Sequence, residues 1–352
     1  MDDGGRSGRG VSRRAVLIGA GALLGAAAVA STVALTTGSD GDDGYDPAEP
    51  LIRQRADPFV VRAEDGRYLF TASVPEYDRI VLRGADTVEG LRTAEERTLW
   101  TRPGTGQMGG YIWAPELHLV DGVWHVYFAA GDADDEFHIR PYVLVADGPD
   151  PLTAGWSVLG QIETAWDSFS LDATTFTHRG TRYLVWAQQE DAVGPGTNLY
   201  ISAMSGPATL TGEQARIAVP SREWETIGFR VNEGPAVIVR GDRVFCSFSA
   251  SATDANYCMG LLTAPADADL LDPGSWTKSD QPVFRSNPAT SQYGPGHNSF
   301  TVAEDGSDLF VYHSRDYEQI DGDPLFDPNR NTRVQQLRWT ADGTPDFGVP
   351  EA

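Results

Sequence analysis

"VNEGPAVIVRGDRVFCSFSAS", residues 231–251, sets a carboxylate, Glu233, at the mouth of an apolar run. Gly234 and Pro235 bend the backbone there, and residues 236–239 read as a buried strand. Arg240, Gly241 and Asp242 supply turn chemistry, and residues 244–248 begin the returning strand. Carboxylates are rarely buried without a partner, so a Glu at this point is unusual. Alone it reads as a loop carboxylate, and its meaning depends on whether the pattern recurs.

It recurs five times. "DPFVVRAEDGRYLFTAS" starts at Asp57, "WAPELHLVDGVWHVYFAA" at Trp113, "DATTFTHRGTRYLVWAQ" at Asp172, "EGPAVIVRGDRVFCSFS" at Glu233 and "HNSFTVAEDGSDLFVYHS" at His297. Each is a short apolar strand, a polar turn and a second strand of aromatic and β-branched residues. The starts lie 56, 59, 61 and 64 residues apart. A third strand follows each hairpin, and a fourth closes each of the first four units, as at residues 156–161. Four strands repeating about every sixty residues predict an all-β, five-bladed β-propeller, with four antiparallel strands per blade. Innermost strands surround a central channel, so their starts converge on one end of it. Asp57, Trp113, Asp172, Glu233 and His297 are expected there as a ring. Like charges repel at close range, so three carboxylates gathered this way point to chemistry rather than to structure.

Composition agrees with such a protein and narrows its partners. The 352 residues are 22% charged and 41% hydrophobic, with 38 Gly and 22 Pro. This is ordinary globular composition with abundant turn formers. The net charge of −23 disfavours nucleic acid and anionic lipid. Residues 1–39 are read as a twin-arginine export signal, from Ser12, Arg13 and Arg14 followed by an uncharged run to Thr37. Uncleaved, that run is long enough to anchor the chain in a membrane. After its removal no stable membrane association is expected, and the protein is secreted. Residues 40–50 form an acidic linker, and 51–352 the propeller. Cys246 and Cys258 fall within one expected hairpin, where a disulfide and two buried thiols are both open. The acidic run from Asp132 to Glu136 lacks the Gly and Glu of a calcium loop and reads as a solvated rim loop. "GPGTN", residues 194–198, reads as a turn.

Glycoside hydrolysis requires one carboxylic acid to protonate the leaving oxygen and one carboxylate to activate water or to attack. The segments "RADPFV", "SLDATTF" and "NEGPAVI" resemble the three signature blocks of glycoside hydrolase family 43, in order and spacing, over nearly the whole chain after the signal. The resemblance implies that Asp57 is the general base, Glu233 the general acid and Asp172 the carboxylate that raises and orients the acid. It implies inversion, with base and acid roughly 6.5–9.5 Å apart. It implies no required cofactor. His297 matches a histidine that helps hold a structural calcium ion in the channel, through water, and Arg333 a basic residue reaching the sugar and the acid. "TASVPEYDRI", "YIWAPELH", "SATDANYCMGLLTA", "DPNRNTR" and "TPDFG" resemble the exo-acting α-L-arabinofuranosidases of that family. This implies Tyr77, Asp78, Trp113 and Asn331 at the sugar, and arabinan or arabinoxylan oligosaccharides of plant cell walls as substrates of a monomeric enzyme. β-Xylosidase and endo-arabinanase activities of the same family remain open, as does a non-catalytic sugar-binding propeller. Taken singly, Asp57 before Pro58 is also turn chemistry, Trp113 a core aromatic and His297 a satisfied buried histidine.

Overall fold

A computed structural model describes residues 49–351; the twin-arginine segment and the linker as far as residue 48 lie outside the described residues. The described chain is five antiparallel sheets in sequence order. Blade 1 holds β1 (Ala56–Arg62), β2 (Tyr68–Ser73), β3 (Arg79–Ala85) and β4 (Arg97–Thr101). Blade 2 holds β5 (Ile112–Val120), β6 (Val123–Ala130), β7 (Arg140–Ala146) and β8 (Trp156–Gln161). Blade 3 holds β9 (Ser170–His178), β10 (Thr181–Glu190), β11 (Gly194–Gly206) and β12 (Thr209–Ala218). Blade 4 holds β13 (Asn232–Arg240), β14 (Arg243–Ala250), β15 (Cys258–Pro265) and the two-residue β16 (Thr277–Lys278). Blade 5 holds β17 (Tyr293–Val302), β18 (Asp308–Arg315) and β19 (Asn331–Gln336). A small hairpin of β20 (Arg338–Trp339) and β21 (Pro345–Asp346) follows.

Burial follows position within the blade. Second strands are buried almost throughout, while β4 and β8 at the outer edge are half exposed. Both faces of an inner strand meet a neighbouring blade, which explains the aromatic and β-branched runs read there. Apolar clusters fill the junctions between blades. Leu69, Ile80 and Leu82 pack with Trp124 and Phe128 between blades 1 and 2, and Tyr127 and Val143 with Trp186 and Tyr200 between blades 2 and 3.

Blade 5 departs from the four-strand expectation. Its outer position is taken by the N-terminal segment, where Ile52 and Thr332 exchange backbone hydrogen bonds of 3.3 and 2.8 Å. Leu51 and Ile52 enter the apolar cluster shared by blades 1 and 5. The ring therefore closes by joining the start of the described chain to its last blade.

One open reading is settled and one local expectation is corrected. Cys246 lies opposite Leu262, whereas Cys258 lies opposite Ala250, four residues further along β14. The thiols do not face one another, and both are free and buried. "GPGTN" belongs to β11 instead of a turn. Gly196 there has φ +91°, and a Cβ on it would lie 1.7 Å from the Arg230 carbonyl oxygen, so the two backbones meet at that point. Among the described residues no helix is long and apolar enough to cross a membrane.

Candidate active site

Each innermost strand carries the same bulge near its start. Asp57, Ala114, Asp172, Gly234 and His297 all have left-handed backbones, with φ between 45° and 56°. Pairing is regular before the bulge, as in Glu233 with Ser249, and resumes two residues after the left-handed residue, as in Ala236 with Ser247. The same interval recurs in the other four blades. Two residues thus face one on the second strand, and that one is always buried and apolar or aromatic: Ala72, Phe128, Trp186, Phe248 or Tyr312. Proline follows the left-handed residue in blades 1, 2 and 4, where the bulge leaves its missing N–H without consequence.

The bulge corrects the register of the expected ring. Asp57, Asp172 and His297 occupy the left-handed position itself. Trp113 and Glu233 stand one residue earlier, because blades 2 and 4 put Ala114 and Gly234 there. All five expected residues nevertheless line one cavity of about 400 Å³ at a single end of the channel. A non-glycine residue at positive φ costs on the order of 1–2 kcal/mol. Four of them at equivalent places are backbone strain gathered at one site. Gly234 is needed for space as well, since a Cβ there would come within 2.9 Å of the His297 ring.

Side chains of the preceding blade accept from four of the five bulge N–H groups. Asp57 N–H donates to His313 Nδ1 at 3.0 Å, Ala114 N–H to Ser73 Oγ at 2.8 Å, and His297 N–H to Ser249 Oγ at 2.7 Å. Gly234 N–H donates to Asp172 Oδ2 at 2.9 Å, so the third carboxylate grips the backbone beside the fourth blade's Glu233. Asp57 accepts from Ser73 Oγ at 2.6 Å and from Arg330 at 3.2 Å. His297 Nδ1 lies 3.3 Å from Asp57 and 3.8 Å from Asp172.

These contacts push the proton affinities apart. Burial opposes ionisation of Asp57, but Arg330, His297 and His313 outweigh it and hold its carboxyl well below the usual range. Burial and the Asp172 charge push Glu233 upward. Asp172 is also raised, by burial first and by Asp57 in part, less the opposing pull of His297. Burial works against the charge on His297, yet Asp172, Asp57 and Glu233 raise it above an ordinary imidazole. Glu233 is thus set above the usual carboxylate range and Asp57 below it, with His297 and Arg330 as their basic neighbours. An acid beside a base is the arrangement that general acid–base chemistry requires.

The other expected residues are placed differently. Tyr77 is buried behind the cavity wall, where its hydroxyl accepts from Arg330 at 2.9 Å and donates to the Leu325 carbonyl at 2.6 Å. Asp78 pairs with Arg79 at 2.7 Å, away from the cavity. Asn331 joins Gln54 N–H to Asp316, and Arg333 is held within β19 by Ser314 and Asp316. Neither lines the cavity. The cation at Asp57 is Arg330, three residues before Arg333 in the same "DPNRNTR" block, because it precedes β19 and is not held in the sheet. The calcium expected at His297, through water, is not confirmed by a ligand set of protein side chains. Among the described residues no group of three or more His, Cys, Asp or Glu could hold a metal ion.

Sequence reading missed the cavity mouth. Phe229 and Phe137 line it, 65% and 52% exposed. Phe137 ends the acidic loop read as merely solvated, and its ring meets Tyr111 and Trp113 edge-on. An aromatic in the polar stretch "TIGFRVN" was the available signal for Phe229. Trp113 stacks on Tyr111 at 5.6 Å, and its buried indole N–H has no partner among the described residues.

Comparison with known proteins finds related chains. The profile of the Glycosyl hydrolases family 43 matches residues 47–345. An extracellular exo-α-(1→5)-L-arabinofuranosidase of Streptomyces avermitilis is 58% identical over 304 residues, 86% of this chain and 63% of that one. Alpha-L-arabinofuranosidase 43 of Humicola insolens is 58% identical over 302 residues, also 63% of its length, so the chain spans less than two thirds of these two relatives. The crystal structure of an α-L-arabinofuranosidase from Lactobacillus brevis superposes with a TM-score of 0.84 at 52% identity, covering 86% of this chain and 96% of that one.

Proposed function

The chain belongs to glycosyl hydrolase family 43, and from that premise we propose that it removes terminal α-L-arabinofuranosyl residues from arabinan or arabinoxylan oligosaccharides, with inversion. The observation that carries this reading is the split in proton affinity within one cavity, Asp57 held ionised and Glu233 held protonated. The relatives' names supply the sugar and the exo action.

In the proposed step Asp57 takes a proton from a water molecule as its oxygen bonds to the anomeric carbon. The bond from that carbon to the glycosidic oxygen breaks, and the oxygen leaves with the Glu233 proton. Asp57 ends protonated and Glu233 ionised, and exchange with solvent restores both. Asp172 keeps Glu233 protonated through its charge and holds the acid's backbone through Gly234 N–H. Arg330 and His297 keep Asp57 ionised, and Ser73 fixes its orientation. Trp113 and Phe137 offer aromatic surface to the sugar, and Phe229, four residues before the acid, offers a face to the leaving group. The propeller is the catalytic unit, exported behind the twin-arginine segment and acting as a monomer.

The test is product analysis on linear and branched arabinan, arabinoxylan and aryl β-xyloside with the wild type, Asp57→Asn and Glu233→Gln. Free arabinose as the sole early product, first formed with inverted anomeric configuration by NMR, is expected. Both variants should fall by roughly 10²–10⁴-fold on oligosaccharides. Oligosaccharide products would replace exo with endo action, xylose release would change the sugar, and wild-type rates in both variants would remove the assigned acid and base.

A further inference from the structure

One buried titratable group on the cavity wall has no part in the step above. Tyr257 is 1% exposed, and its hydroxyl donates to Glu233 Oε1 at 2.9 Å. Ser249 Oγ, which accepts the His297 N–H, lies against Gly296 beside the same ring. The ring is tightly held. It stacks on His313 with centroids 5.6 Å apart and planes 8° from parallel. A Cβ on Gly296 would come within 2.5 Å of its Cε1, so that glycine admits the ring. The Tyr257 N–H is bound to the Asp254 carbonyl at 3.1 Å.

We propose that Tyr257 is a positioning residue for the general acid: its hydroxyl reserves Oε1 of Glu233, leaving the transferable proton on Oε2, and its stack on His313 spaces acid from base. This rests on the reading of Glu233 as the acid. A neutral carboxyl carries one proton on one of two oxygens, and an oxygen that already accepts an O–H is the poorer place for it. As Glu233 gives its proton away, the Tyr257 hydrogen bond becomes charge-assisted and strengthens. That gain arises as the reaction proceeds, so it lowers the barrier more than it stabilises the bound substrate. The tyrosine also acts against burial and Asp172, which both favour the protonated form. The spacing follows from connectivity. Tyr257 stands at the entry to β15 in blade 4, His313 is on β18 in blade 5, and His313 Nδ1 accepts the Asp57 N–H of blade 1. One flat stack thus joins the carriers of acid and base.

The experiment compares two leaving groups. 4-Nitrophenolate departs with little protonation, whereas the sugar alkoxide of arabinobiose needs the proton. Tyr257→Phe keeps the stacked ring and removes the hydroxyl. It should lose about tenfold in kcat on arabinobiose and under about threefold on the 4-nitrophenyl arabinofuranoside, with KM little changed. The alkaline limb of its kcat/KM profile should move up, because the ionised acid has lost a donor. 3-Fluorotyrosine at position 257, isosteric and a stronger donor, should move that limb down. Equal losses on both substrates with an unmoved alkaline limb in both variants would overturn the proposal. Inactivity of the wild type on arabinosides would instead refute the sugar assignment, and the same pair of leaving groups is then read on the glycoside it cleaves.

Discussion

At the scale of single residues, the site works because one ring of bulges is filled by unlike side chains. Asp57 is a buried carboxyl and Glu233 a half-buried one near the same histidine, yet their neighbours set them on opposite sides of their usual range. The difference has a consequence for stability. A carboxyl whose folded-state pKa is raised keeps its proton where the unfolded chain has lost it. Its contribution is therefore complete in acid and is lost as pH rises from the ordinary Glu value to the folded one. Glu233→Gln does not titrate. The melting temperature of this variant should match the wild type near pH 4 and exceed it increasingly up to about pH 8. Thermal melts across that range read the sign directly, and a gap that narrows with rising pH would contradict the raised affinity.

At the scale of elements, the strand that carries Glu233, the proposed acid, is anchored by an ion pair outside the cavity. Glu225, fully buried in the short turn before β13, accepts from Ser221 and Arg222 N–H at 2.7 Å each. Lys278 of β16 binds it at 2.7 Å, and Asn232, next to Glu233, donates to it at 3.0 Å. Removing one partner of such a pair strands the other charge, at a cost of about 3–5 kcal/mol. Lys278→Met should lower the urea midpoint accordingly. It should also reduce kcat more than an equally destabilising change in the outer strand β8, because Asn232 loses the anchor that fixes the acid's backbone. The outermost strand of blade 4 is only two residues long, and its lysine explains why it is there.

At the scale of the whole molecule, a propeller must join its last blade to its first. Here that seam is the antiparallel bridge of Ile52 with Thr332, the buried Leu51 and Ile52, and the Asp57 N–H to His313. Because Asp57, the proposed base, hangs on the seam, loosening it should affect catalysis as well as stability. Leu51→Ala with Ile52→Ala removes two core side chains, each worth about 2–5 kcal/mol. The double variant should melt well below the wild type and lose kcat at temperatures where its circular dichroism is still native. A drop in melting temperature with unchanged kcat would show that the seam and the site are independent.

Periodicity alone determined the five blades, the order of their strands and the three carboxylates, because alternating burial and turn chemistry are local properties of a strand. Tyr68, Trp124, Phe128 and Trp186 are buried in the junctions between blades, and Tyr183 is half-buried against one of them. Only the tertiary structure decided the register within the ring. A bulge adds one residue without altering composition, so Glu233 and Trp113 stand one place before Asp57, Asp172 and His297 in their blades. It also decided which arginine reaches the base. Arg330 and Arg333 are equally basic in the sequence, and the sheet of blade 5 holds one while leaving the other at the channel. Tyr257 and Phe229 became visible for the same reason. Their roles depend on which groups from other blades they meet, and strand pairing across sixty residues sets that, beyond the reach of any local pattern.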